Sequence, residues 1–157
     1  MEKTNVMRIL EQHGISYTPH SYPHGKEAVD GATVARMLGQ DPECVYKTLV
    51  ARGKSGSYFV FDIPVEAELD LKKAARAVGE KAIELVHVKE LLGLTGYVRG
   101  GCSPVGMKKA FPTVFDESVT GLPSVIVSAG KIGYQIECVP ADLIGLVRAK
   151  AAAITTD

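Results

Sequence analysis

The sequence has few cysteines, and none of them are closely spaced. Cys44, Cys102 and Cys138 are odd in number and lie far apart in the 157 residues. A disulfide framework needs an even set, and a structural zinc site needs paired ligands. The pattern therefore predicts reduced thiols. His20 and His24 are four residues apart in predicted extended or loop backbone, and no carboxylate pattern completes a ligand set. We therefore assign no metal and no cofactor.

The sequence also lacks an excess of charge of either sign. Its 18 lysines and arginines balance 18 aspartates and glutamates, so the formal net charge is +0 at pH 7. A protein that captures nucleic acid over a broad surface needs a basic face, because phosphate contacts supply much of the affinity. The balance does not support such a surface. It limits any contact with RNA to a small area.

Long apolar runs are missing as well. No stretch approaches the roughly 18 apolar residues that indicate a membrane span. Residues 1–5 lack the apolar core of a signal peptide. These absences predict a cytoplasmic protein that does not enter the membrane. With 46% hydrophobic and 23% charged residues, the composition is typical of one globular domain spanning residues 1–157.

The order of strand-like and helix-like segments predicts an α+β fold, with a mainly antiparallel sheet and flanking helices. Residues 44–52 and 57–63 surround a glycine-containing turn and predict a β-hairpin. A second hairpin is predicted between residues 124–128 and 134–139. Residues 15–22 suit a first strand, in which Pro19 favours an edge position because it has no N–H group.

Amphipathic segments with end signals predict the helices. Thr4 or Asn5 is a candidate N-terminal cap, and Gly39 and Gly79 are candidate stops. Pro140 suits the first position of a last helix, which we expect to continue through Lys150. We expect residues 151–157 to form a frayed tail. The predicted helices cover approximately residues 4–14, 27–39, 69–79 and 140–150.

Residues 44–50 place one lysine, Lys47, in a β-branched and aromatic run. Strand alternation puts Lys47 on the same face as Val45 and Leu49. Such a lysine can discourage edge-to-edge aggregation, or lay its stem on apolar surface while its head reaches water. It can also serve a binding site. The strand by itself favours the two structural interpretations.

Residues 96–106 contain four glycines, a serine and a proline. Glycine permits positive φ and lets a ligand approach the backbone, so such a loop can present N–H groups. The segment is not a P-loop, because no Gly-Lys-Ser/Thr closes it, and it does not match a dinucleotide fingerprint. An ordinary surface connection is the structural alternative.

Four motifs together resemble a known family. They are Val-Tyr-Lys-Thr-Leu at 45–49, Leu-Asp-Leu-Lys-Lys at 69–73, Thr-Gly-Tyr through Gly-Gly-Cys-Ser-Pro-Val-Gly at 95–106, and Val-Ser-Ala-Gly-Lys at 127–131. In this order and spacing they resemble the YbaK-type aminoacyl-tRNA deacylases, relatives of the editing domain inserted into bacterial prolyl-tRNA synthetases. The resemblance runs from about Met7 to about Arg148 and is strongest to the freestanding Cys-tRNA(Pro) deacylases.

The resemblance implies a site and two partners. Lys47 is implied as the catalytic residue, which holds the carbonyl or the terminal ribose of the aminoacyl-adenosine. The implied partners are the acceptor end of an aminoacyl-tRNA and, as a candidate, prolyl-tRNA synthetase. Gln135 stands where some relatives carry an acid, and an aromatic found in some relatives has no counterpart near Val29 and Asp30. The implied substrate-binding residues are Tyr22, Thr48, Gly100, Gly101, Ser103, Pro104, Ser128 and Gly130.

The sequence shows no nucleophile with a base and an orienting group. Cys102 lies in the glycine loop, but the resemblance gives that position no nucleophilic role. It implies instead that the cysteine of a mischarged tRNA attacks its own ester, while the enzyme supplies position and charge. Two alternatives stay open. One is an Ala-tRNA(Pro) deacylase that uses water, and the other is a non-catalytic module that binds aminoacyl-tRNA or a synthetase.

Overall fold

The structure is a computed structural model that describes residues 2–25 and 27–157. These residues form five α-helices and eight strands. The helices are α1 (Asn5–Gln12), α2 (Gly31–Leu38), α3 (Leu71–Val78), α4 (Val88–Thr95) and α5 (Pro140–Val147). The strands are β1 (Tyr17–Ser21), β2 (Tyr46–Gly53), β3 (Tyr58–Pro64), β4 (Ile83–Leu85), β5 (Thr113–Asp116), β6 (Val125–Ser128), β7 (Tyr134–Cys138) and β8 (Lys150–Ala152). None of the described helices is long and apolar enough to cross a membrane.

The strands form two sheets, and the α+β class is confirmed. One sheet has the order β1-β7-β6 and is antiparallel throughout. The other has the order β4-β2-β3-β5-β8, with β5 parallel to both of its neighbours. Both predicted hairpins are confirmed, as β2–β3 and β6–β7. Pro19 lies in β1 at a sheet edge, where its missing N–H costs no ladder bond.

Each sheet buries apolar side chains against helices. The three-stranded sheet packs with α1 and α5, and Leu10, Ile136 and Leu143 are fully buried there. The five-stranded sheet packs with α3, where Phe61 and Ala74 are fully buried. Burying a large apolar side chain contributes about 1.5–3 kcal/mol, so these two layers supply much of the drive to fold.

The helix ends follow the sequence signals. The Thr4 side chain accepts a hydrogen bond from the Met7 N–H, and the Asp70 carboxylate accepts from the N–H groups of Lys72 and Lys73. Such caps satisfy N–H groups that have no partner inside the helix. Gly39 and Gly79 end α2 and α3 in the left-handed conformation that glycine adopts without strain.

The expected frayed tail at residues 151–157 is wrong. The last helix ends at Val147, and β8 then pairs in parallel with β5. Ile154 is fully buried; its N–H donates to Asp116 Oδ1 at 3.1 Å and its carbonyl accepts from the Asp70 N–H at 2.8 Å. Local periodicity did not reveal this strand, because its partners lie far away along the chain.

The packing of the last residues predicts that Ile154→Ala destabilises the fold. Removing a fully buried isoleucine side chain should lower the free energy of unfolding by about 2–5 kcal/mol. Thr156→Ala, a change at an exposed residue in the same segment, should stay within about 0.5 kcal/mol of wild type. Urea denaturation of both variants measures the difference. Equal midpoints for the two variants would show that the segment does not belong to the core.

Candidate functional site

The main cavity lies where the two sheets diverge. They touch at an isolated parallel bridge between Val45 and Ile126, just before β2. Beyond that bridge a cavity of about 710 Å³ opens between the first half of β2, the adjoining ends of β6 and β7, and the glycine loop. Its lining residues are Tyr22, Glu27, Ala28, Val29, Asp30, Gly31, Val34, Val45, Tyr46, Lys47, Thr48, Leu49, Val65, Arg99, Gly100, Cys102, Val127, Ser128, Tyr134 and Gln135.

The first half of β2 has one unpaired edge in this cavity. Strand β4 pairs only with residues 51–53, and the Val86 N–H reaches the Val50 carbonyl at 3.0 Å. Peptide groups of alternate residues in a strand point to the same edge, so those of Thr48 point to the same side as those of Val50. Because β4 does not extend that far, the Thr48 N–H and C=O face the cavity. They are available to a ligand.

Lys47 lies on this strand, directly opposite Ile63 of β3. Its neighbours on that face are apolar, as the alternation predicted, and the side chain is half-buried. None of the ion pairs among residues 2–25 and 27–157 involves Lys47 or the other lining cation, Arg99. Both positive charges are therefore available to a ligand in the cavity.

The glycine loop forms one wall by close backbone packing. Gly100 has φ +86°, and a Cβ placed there would lie 2.6 Å from the Ala28 Cβ. A Cβ at Gly101 would lie 3.1–3.3 Å from backbone atoms of Lys131 and Ile132 in the β6–β7 turn. The two glycines let three segments meet at one side of the cavity. A larger residue at either position would separate them.

The predicted site residues divide into two groups. Five of the nine line the cavity, namely Tyr22, Lys47, Thr48, Gly100 and Ser128. The other four are Gly101, Ser103, Pro104 and Gly130, which lie in the surrounding loop and turn. The Ser103 hydroxyl oxygen, for example, accepts a hydrogen bond from the Val105 N–H at 3.2 Å. The positions of these four residues support a role in shaping the wall of the cavity.

Cys102 lines the cavity with a thiol that is hard to ionise. The residue is only 8% exposed. Burial raises the pKa of the Cys102 thiol to about 12, and nearby Asp62, once it is ionised, adds to the effect. A thiol is nucleophilic as its thiolate, which is scarce at neutral pH when the pKa is so high. The environment of Cys102 therefore argues against a nucleophilic role.

No other lining residue forms a nucleophile and base pair. Among the described residues no histidine lines the cavity. The Ser128 hydroxyl oxygen accepts from the Gly130 N–H at 3.1 Å, which stabilises the turn. No group of three or more potential metal ligands occurs in the part of the chain that the structure describes. The cavity offers cations and hydrogen-bond donors, but no attacking group of its own.

Several lining polar residues were not assigned to the site from sequence, among them Asp30, Gln135 and Arg99. Asp30 caps α2, and hydrogen bonds from Thr33 hold the pKa of the Asp30 carboxyl below its usual range. The Gln135 side-chain oxygen accepts from Gln40 Nε2 at 2.8 Å, which leaves the Gln135 amide group to donate. Arg99 lies in the glycine loop. Only Asp30 carried a local signal, as a capping residue three positions before Thr33.

Among the described residues, the cavity has cations without ion-pair partners, an open strand edge and no nucleophile paired with a base, and these features suit a site that binds and polarises a carbonyl group. Residues 26–146 match the family described as the aminoacyl-tRNA editing domain. The chain belongs to this family, whose members hydrolyse the ester bond of aminoacyl-tRNA, and it is therefore a hydrolase of that class.

Individual relatives agree with this assignment. The chain is 44% identical to EbsC of Enterococcus faecalis, a proposed Cys-tRNA(Pro)/Cys-tRNA(Cys) deacylase, over 99% of this chain and 94% of EbsC. A segment covering 46% of this chain is 31% identical to 13% of a proline–tRNA ligase from Lactobacillus gasseri. The solved structure of a proposed trans-editing enzyme for prolyl-tRNA synthetase has a TM-score of 0.82 and 27% identity, over 97% of this chain and 95% of that one.

The packing of the glycine loop predicts the effect of Gly100→Ala. Positive φ and the clash with Ala28 should together lower the free energy of unfolding by about 1–3 kcal/mol. Gly93→Ala is the matched control, because Gly93 lies within α4 and a Cβ there meets nothing within 4 Å. Alanine is the better helix former, so that control should be neutral or slightly stabilising. Thermal denaturation distinguishes the two. A neutral Gly100→Ala would contradict the close packing of this wall.

Proposed function

We propose that the protein is a trans-editing deacylase that removes cysteine from mischarged Cys-tRNA(Pro). The observation that carries the proposal is a cavity equipped to polarise an ester, yet without a nucleophile among its described lining residues. A cysteinyl ester brings its own thiol. The 44% identity to EbsC, a proposed deacylase of cysteinyl-tRNA, supports this choice of substrate.

The size and charge of the cavity suit the terminal aminoacyl-adenosine. Sites for small ligands commonly have volumes of about 300–1,000 Å³, and this cavity has about 710 Å³. Lys47 and Arg99 can receive the carbonyl oxygen and a phosphate, and Glu27 and Asp30 can receive the α-ammonium group. A substrate that carries charges of both signs therefore finds partners for both.

The reaction follows from the donors around β2. The thiol of the bound cysteine loses its proton, and the sulfur forms a bond to its own ester carbonyl carbon. Lys47 and the Thr48 N–H stabilise the negative charge that develops on the carbonyl oxygen. The carbon–oxygen bond to the ribose then breaks, and the ribose oxygen takes a proton. The products are tRNA with a free hydroxyl and a cyclic thioester, which water opens to cysteine.

We propose prolyl-tRNA synthetase as the partner that holds the tRNA for this chain. A net charge of +0 gives weak general attraction to RNA, because affinity for tRNA depends on cationic contacts. A similar segment forms part of a proline–tRNA ligase. Binding of the freestanding domain to a synthetase that holds the tRNA would raise its local concentration near the ester.

The proposal predicts that Lys47→Ala abolishes hydrolysis of Cys-tRNA(Pro). Loss of one donor to a developing oxyanion lowers the rate by about 100–1,000-fold. Lys54→Ala, at an exposed lysine in the β2–β3 turn, should retain wild-type activity. Single-turnover hydrolysis of radiolabelled Cys-tRNA(Pro) measures both variants, with and without prolyl-tRNA synthetase.

Two further comparisons test the nucleophile. Cys102→Ala should remain active, because the attacking sulfur belongs to the substrate. Ala-tRNA(Pro) and Pro-tRNA(Pro) should not be hydrolysed, since neither carries a thiol. Loss of activity in Cys102→Ala but not in Lys47→Ala would overturn the mechanism. Preferred cleavage of Ala-tRNA(Pro) would assign the attack to water, and no cleavage of any ester would leave a binding module.

A further inference from the structure

A fully buried carboxyl lies directly beside the cavity. Asp62 of β3 stands opposite Thr48 of β2, and the residue has 0% exposure. Thr48 Oγ1 and Asp62 Oδ1 are hydrogen-bonded at 2.5 Å. Thr48 also lines the cavity. The pair therefore connects the cavity to a titratable group that does not line it.

The hydrogen bonds of Asp62 favour its neutral form. Asp62 Oδ2 is buried and has no hydrogen-bond partner among the described residues. An ionised carboxylate needs donors at both oxygens, and burying it with only one is costly. A neutral acid with its proton on Oδ1 donates to Thr48 Oγ1 and leaves Oδ2 as an uncharged carbonyl oxygen. Burial accordingly raises the pKa of Asp62 to about 8, against a smaller opposing effect of the Thr48 hydrogen bond.

The protonation of Asp62 decides what Thr48 can do. A threonine hydroxyl has one hydrogen and can also accept. When Asp62 donates to the Thr48 oxygen, the Thr48 hydrogen is free for the cavity. When Asp62 is ionised, Thr48 must donate to it and can only accept from the cavity. One proton on a buried acid thus sets the direction of a hydrogen bond at the substrate.

We infer that Asp62 is a positioning residue, which as a neutral acid donates to Thr48 and turns the Thr48 hydroxyl hydrogen towards the carbonyl oxygen of the bound ester. This inference rests on the proposed function. The Thr48 hydroxyl then joins the Thr48 N–H and Lys47 around the developing charge. Asp62 acts through Thr48 and does not touch the substrate.

Among the residues that the structure describes, those packed around Asp62 include no other group that titrates near neutral pH. Strand β2 contributes Tyr46 beside Thr48, β5 places Phe115 opposite Asp62, and the glycine loop contributes Cys102. Burial raises the pKa of the tyrosine and of the thiol to about 12 in each case. Among the described residues, no charged side chain contributes to the pKa of Asp62.

Two charged residues, Lys47 and Asp116, and the phenol of Tyr97 lie further from Asp62. Lys47 adjoins Thr48 but points to the other face of β2. Asp116 follows Phe115 on β5, where its side chain binds Ser118 and the Ile154 N–H. Tyr97 packs against the cluster of Val50, Val60 and Cys102, and burial raises the pKa of Tyr97 to about 12. A pH effect between about 7 and 9 at Thr48 is therefore assigned to Asp62.

The inference predicts a pH profile for Asp62→Asn. The asparagine amide can donate to Thr48 Oγ1 and cannot ionise. Wild type and Asp62→Asn should hydrolyse Cys-tRNA(Pro) at similar rates near pH 6–7. The ratio of wild-type to variant rate should then fall about tenfold by pH 9, as Asp62 ionises. The ratio cancels the ionisation of the substrate thiol, which affects both enzymes equally. When both enzymes carry Thr48→Val, the ratio of the rate with Asp62 to the rate with Asp62→Asn should not change with pH.

A titration by ¹³C NMR of the aspartate carboxyl carbons tests Asp62 without any assay of activity. The Asp62 signal, assigned in the wild-type protein by through-bond correlation with the Asp62 backbone amide, should titrate near pH 8. In Thr48→Val its pKa should rise further, because the hydrogen bond that lowers it is gone. This experiment remains decisive if the tRNA ester is not a substrate or if Asp62→Asn does not fold. A titration midpoint near the ordinary pKa of an aspartate would overturn the inference. So would a folded Asp62→Asn variant whose rate of hydrolysis depends on pH in the same way as that of wild type.

Discussion

The site depends on the partial pairing of strand β2. This strand is hydrogen-bonded to β3 along its length, but β4 pairs only with its last residues, and an isolated bridge between Val45 and Ile126 links the other sheet to the chain just before it. On that side, neither β4 nor β6 pairs with β2 at Lys47 and Thr48. The same gap creates the cavity, exposes a peptide group to it, and brings side chains from both faces of the strand to its wall.

The chemistry of the cavity follows from what is buried around that gap. Burial suppresses ionisation of Cys102, while Lys47 and Arg99 stand without ion-pair partners among the described residues. A site with available positive charge and an inert thiol stabilises an oxyanion better than it attacks a carbonyl. The proposed selectivity for a substrate that supplies its own nucleophile would then be a property of the whole cavity. A pocket that selected amino acids only by the size of the side chain would discriminate between them by about 1–3 kcal/mol.

Features encoded by neighbouring residues were predictable from the sequence. The cap at Thr4, the stops at Gly39 and Gly79, both hairpins and the edge position of Pro19 each follow from a few adjacent residues. Lys47 stands out in an apolar strand, but the family resemblance, and not the strand, assigned it to the site. The last strand and the Asp62–Thr48 pair could not be found in this way, because each forms between segments whose proximity is set by the fold. An aspartate in an apolar run shows no sign of whether it will be neutral, hydrogen-bonded or exposed.

The pairing of β1 with β7 has a consequence for how the molecule forms. Tyr17 lies opposite Cys138, so the first strand finds its partner across most of the chain. Contacts at such separation slow folding, because the loop must close before the contact stabilises it. The β2–β3 hairpin closes only a short turn. We therefore expect β2, which carries Lys47, to form early and the cavity around it to be completed late, when β1 reaches β7.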